Sequence, residues 1–120
     1  MRPELTARLK QLETTLTTIE KVMDPEALAA RIRELEAQAG DPSLWDDPTY
    51  AQKVTSELSA AQAKVRKLDA LRGHLEDIPV MYELAEEEGD TSLADDELDS
   101  LESAIESLEV TTMLSGEYDP

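Results

Sequence analysis

An all-α fold, elongated and coiled-coil-like, is what this 120-residue sequence predicts, with about four helices including one that is long and kinked. Three observations lead there. Apolar residues recur at alternating spacings of three and four over most of the chain, the signature of a helix with one buried stripe. Aromatic residues are scarce, Phe is absent and β-branched residues do not cluster, so nothing favours strands. Asp-Pro pairs punctuate the pattern: at Asp24-Pro25 and Asp47-Pro48 Asp caps a helix and Pro suits its first position, while Asp41-Pro42 stops the preceding helix because a residue before Pro is pushed out of the α region. A chain this short is expected to form a single helical domain over 1–120.

The first helix is predicted over 4–22. Leu5, Leu9, Leu12, Leu16, Ile19 and Met23 form its seam, and Glu4 with Arg8 has the spacing of a local ion pair. The threonines around Leu16 are weak helix formers, so packing must help hold this segment. Asp24-Pro25 restarts the chain at a sharp corner, with Met23 and Leu28 spaced as a hydrophobic staple. The second helix, 25–39, carries Leu28, Ile32, Leu35 and Ala39, and Gly40 suits a position just past its end.

Between Gly40 and the next helix lies the corner Pro42-Ser43-Leu44-Trp45-Asp46-Asp47-Pro48, which holds the single Trp. Trp45 is expected to fold back and plug the end of the bundle, the alternative being an exposed indole that docks on a partner, with Asp47 as N-cap and Pro48 at the first helical position. The third helix is predicted over 48–88, about 60 Å if continuous at about 1.5 Å per residue. Ala51, Val54, Leu58, Ala61, Val65, Leu68, Leu71, Leu75 and Ile78 form its seam, and Gly73 and Pro79 should kink or divide it. After the turn at Gly89, Ser92 and Asp95 have capping-box spacing, and Leu98, Leu101, Ile105, Leu108 and Thr112 stripe a fourth helix over 92–113. The second and fourth helices should pack antiparallel along the two halves of the third. From Leu114 onward irregular structure is expected.

Charge is unevenly spread. All 11 Lys and Arg lie between Arg2 and Arg72 among 12 acids, whereas Gly73 to Pro120 holds 16 acids and no Lys or Arg. Such an acidic surface repels nucleic-acid phosphates, so any RNA contact must use the first 72 residues. Candidate contacts are Lys53, Lys64, Arg66, Lys67 and Arg72, with Lys64 and Lys67 flanking the seam and facing solvent. An ordinary wet helix face would account for the same five residues.

Machinery for chemistry is missing. Without cysteine there is no disulfide, thiolate metal site or Cys nucleophile. His74 stands without a second His, the acidic run Glu86-Glu87-Glu88 lacks the spacing of a calcium loop, and the four glycines are too dispersed to cradle phosphate. The sequence therefore reads as no enzyme, with no cofactor and no small-molecule ligand. No apolar run approaches a membrane span and no leader-like stretch follows Met1, so a soluble cytoplasmic chain without a membrane partner is expected.

Three stretches carry a resemblance. Asp41-Pro42-Ser43-Leu44-Trp45-Asp46-Asp47 with Ala51-Gln52-Lys53-Val54, the acidic Tyr82 to Glu88, and the ending Leu114-Ser115-Gly116-Glu117-Tyr118-Asp119 together resemble the N-terminal domain of the bacterial peptide chain release factor 2 family. The resemblance implies a helical module in cis with a core that reads stop codons through Ser-Pro-Phe and triggers ester hydrolysis through Gly-Gly-Gln. Neither tripeptide occurs here, since there is no Phe and no adjacent glycine pair. It further implies a ribosome partner, protein or rRNA at the stalk base of the large subunit, where such a module helps position the factor. A generic acidic coiled-coil adaptor would explain the heptads but neither the Trp corner nor the Tyr118 ending.

Overall fold

The computed structural model describes residues 2–114, which form four α-helices and no strand. These are α1 (Pro3–Met23), α2 (Pro25–Ala39), α3 (Pro48–Glu88) and α4 (Ser92–Thr112), with a 3-10 turn over Pro42–Asp46. The Ser115 to Asp119 part of the ending used in the resemblance lies outside the described residues. Helical backbone continues past Thr112 through Met113 and Leu114, so the irregular structure expected from Leu114 is not found at that residue.

The corners show why the helices stop where they do. Asp24 takes a left-handed conformation (φ 54°) that only Gly, Asn and Asp visit readily, and its carboxylate accepts the Ala27 amide at 3.2 Å. One residue therefore makes the whole α1–α2 corner. Gly40 closes α2 in right-handed conformation (φ −84°), so its place there does not depend on a positive φ. Gly89 does need glycine, with φ 80°. Its amide bonds the Glu86 carbonyl and the Asp90 amide reaches back to the Ala85 carbonyl, the paired bonds of a Schellman ending.

Two compact units divide the chain. The first joins α1 to the part of α3 from Asp69 onward and to α4. Its core is Leu5, Leu12, Leu16 and Ile19 from α1, Leu71, Leu75, Ile78 and Tyr82 from α3, and Ala94, Leu98, Leu101, Ile105 and Leu108 from α4. The expected α4 seam is buried throughout, and α1 packs closely on α4. The second unit, Asp24–Leu68, holds α2, the 3-10 turn and the start of α3 around Leu35, Leu44, Ala51 and Val54, with Ala39 and Leu58 against them.

Helix α3 runs as one helix over the predicted 48–88, so of the two outcomes expected at Gly73 and Pro79 division is the one that does not occur. Pro79 removes one backbone bond and crowds the preceding turn. Buried Leu75, Ile78 and Tyr82 continue the apolar stripe on both sides of it, so packing holds the helix through the defect.

The expected capping box at Ser92 and Asp95 does not form. Ser92 is already helical, and Asp90 instead accepts its amide at 2.9 Å and its hydroxyl at 2.8 Å. Asp41 does the same to Ser43 at the 3-10 turn, at 3.0 and 2.9 Å. Both Asp carboxyls are held below their usual range by these Ser amides and hydroxyls.

Candidate functional site

The 3-10 corner reverses the expectation for Trp45. Adjacent residues in such a turn point about 120° apart, so Leu44 and Trp45 cannot both enter the same core. Leu44 is the one buried, against Leu35, Ala51 and Val54, while Trp45 is 62% exposed and plugs nothing. Tyr50, one turn into α3, is 46% exposed. Asp47 and Pro48 behave as read: the Asp47 carboxylate accepts the Tyr50 amide at 3.2 Å, its carbonyl accepts the Ala51 amide at 2.9 Å, and Pro48 opens α3.

The five basic candidates do not form one patch. Lys53, Lys64, Arg66 and Lys67 are exposed on the part of α3 within the second unit. At about 100° per residue, Lys53, Lys64 and Lys67 fall within about 60° of one another, whereas Arg66 points about 160° away from Lys64. Three lysines thus line one flank of the buried stripe and Arg66 lies on the other.

Arg72 belongs to the first unit and its guanidinium is occupied. It donates to Glu20 through both Nε (3.3 Å) and Nη2 (2.5 Å), to Thr17 at 3.3 Å, and to the Glu13 carboxylate. Glu20 above all raises its pKa further above the ordinary arginine value. With only 24% of its side chain exposed, Arg72 clamps α3 to α1 and is not a free cation. Sequence spacing could not reveal this, since its partners lie more than fifty residues away.

Arg8 differs from expectation in the same way. Its guanidinium meets Asp99 at 2.6 Å and Glu102 at 3.0 Å on α4, in place of the local pair with Glu4. His74 Nε2 lies 2.9 Å from Glu97, and the Tyr82 hydroxyl donates to Asp95 at 2.5 Å. These polar contacts tie α1, α3 and α4 together around the core of the first unit, a structural arrangement more than a reactive one. Among the described residues no group of His, Cys, Asp and Glu is placed to hold a metal ion, and no helix is long and apolar enough to cross a membrane.

A family model, the PCRF domain, matches residues 28–120. The chain belongs to the PCRF domain family. Over 99% of its length this PCRF-domain chain is 74% identical to peptide chain release factor 2 of Corynebacterium aurimucosum and 64% identical to that of Corynebacterium glutamicum. Identity to peptide chain release factor 2 of Mycolicibacterium vanbaalenii is 53%. The PCRF-domain chain spans about a third of the length of these relatives, 33% in each case, and corresponds to their N-terminal third.

Proposed function

We propose that this chain is the helical, ribosome-contacting module of a class I translation termination factor in the cytoplasm, positioning the factor near the large-subunit stalk base. The observation that carries the reading is the end-to-end similarity to release factor 2 chains, which extends through the PCRF-domain match. On this reading the module itself neither reads codons nor releases peptide, because it contains no Phe for Ser-Pro-Phe and no glycine pair for Gly-Gly-Gln.

Lys53, Lys64 and Lys67 supply the phosphate-facing side of the module in this proposal. Their row lies in the second unit, away in sequence from the wholly acidic stretch after Gly73, and its charge is exposed. The deciding assay is peptidyl-tRNA hydrolysis on stop-programmed ribosomes with the 120-residue chain, paired with chemical footprinting of the large subunit. Protection at the stalk base without release is the expected outcome. Stop-dependent release, or protection confined elsewhere, would refute the proposal.

A further inference from the structure

The α3–α4 corner leaves large apolar side chains outside the core. Leu93 is 80% exposed and Leu84 59%, and Val80, four residues before Leu84 on the same stripe, is also exposed. Leu84, Leu93, Met81 and Ala85 line a groove of about 310 Å³, whose remaining walls include Glu88, Asp90 and Glu97. The buried stripe of the corner runs through Ile78, Tyr82, Ala94 and Leu98, so Leu84 and Leu93 contribute nothing to it. A contiguous apolar surface with a polar rim is the form of a docking site for an amphipathic helix.

We propose that this groove receives a cationic amphipathic helix from a partner protein, an apolar side chain seating between Leu84 and Leu93 and flanking Lys or Arg meeting Glu88, Asp90 and Glu97. Charge complementarity selects that occupant. No Lys or Arg occurs from Gly73 to Pro120, and Arg2 lines a separate cavity with Tyr82, Glu86 and Thr91. The Asp90 carboxylate accepts the neutral Ser92 amide and hydroxyl, which leave its charge in place, and Glu97 meets His74 at 2.9 Å. Nucleic acid and an anionic bilayer would bring more negative charge to this rim. So would a second copy, because an isologous pair presents the same carboxylates to each other. This inference is independent of the ribosomal reading above.

The test is fluorescence anisotropy on the 120-residue chain with a labelled Leu/Lys peptide of about 14 residues, about four helical turns. A peptide of identical composition in scrambled, non-amphipathic order is the comparison. The amphipathic peptide should bind at least about tenfold more tightly than the scrambled one. The Leu84→Ser/Leu93→Ser variant should lose at least about tenfold with an unchanged melting temperature, since neither leucine is in the core. Glu88→Gln with Glu97→Gln should weaken binding several-fold, and gives a second readout if the leucine pair disturbs folding. Equal affinity for the two peptides, or full binding by either variant, overturns the proposal. Sedimentation showing a dimer that the leucine variant disperses overturns it too, by making a second copy the occupant.

Discussion

The Tyr82 hydroxyl donates to the Asp95 carboxylate at 2.5 Å, while the Thr91 hydroxyl reaches the other oxygen at 3.2 Å. The phenol ring is buried in the core of the first unit, and burial first, then the bond to Asp95, pushes its pKa up to about 12. A folded-state pKa above the ordinary value near 10 stabilises the fold fully below about pH 10, and that contribution disappears as pH rises toward 12. Tyr82→Phe should therefore cost about 1 kcal/mol at neutral pH and flatten the alkaline loss of stability between about pH 10 and 12. Urea unfolding at stepped pH, with phenolate absorbance followed in parallel, checks both.

Arg72 should be a stability residue. Arg72→Gln removes charge-assisted bonds to Glu20 and Glu13 and is expected to cost about 1.5–3 kcal/mol. Arg72→Lys should recover only part of this, since a single ammonium cannot span both carboxylates and Thr17. A double-mutant cycle should place more coupling on Glu20, the more buried partner, than on Glu13; equal terms would argue against the clamp as described.

At the 3-10 corner, neighbouring truncations should differ sharply. Leu44→Ala is expected to cost about 2–5 kcal/mol, whereas Trp45→Ala should stay within about 0.5 kcal/mol. Tryptophan emission supplies the check: in the native chain it should sit near that of solvent-exposed indole and move little on unfolding.

Two glycines should respond in opposite directions. Gly73 lies in α3 with open space where a Cβ would go, so Gly73→Ala should stabilise by about 0.5–1 kcal/mol. Gly89 has φ 80°, and Gly89→Ala should destabilise by about 1–2 kcal/mol despite equally open space. Melting temperatures rising for one and falling for the other are the expected result.

If the proposed function holds, ribosome binding should follow the helix faces. Replacing Lys53, Lys64 and Lys67 by Gln should lower the salt dependence of binding by up to about three phosphate contacts, while Arg66→Gln should matter less. All four side chains are exposed, so thermal stability should not change. Equal effects from the two variants would mean that no single flank of α3 faces the ribosome.

Much of this architecture was legible because local chemistry sets it. Asp24-Pro25, Asp47-Pro48 and Gly89 mark helix boundaries through capping and backbone preference, which act within a few residues. The α4 seam was legible for the same reason, as periodicity alone assigns its buried face. What escaped was decided at a distance or by competition. Arg8 and Arg72 find carboxylates on other helices, which no i,i+4 rule anticipates. At Leu44-Trp45, two apolar neighbours compete for one core position, and size alone favoured the wrong one. Leu84 and Leu93 left a faint signal, being apolar yet off the stripes of their helices.

The first unit is assembled from both ends of the described chain, with Asp24–Leu68 forming a unit of its own between them. During synthesis α1 leaves the ribosome before α4, on which it packs and which is completed about 90 residues later, roughly 5–18 s at typical elongation rates. Through that interval Leu5, Leu12, Leu16 and Ile19 have no α4 to cover them, whereas α2 meets its part of α3 much sooner. Of the two helices α1 is thus made well before the partner it packs on, and its leucine stripe is the surface a chaperone would meet.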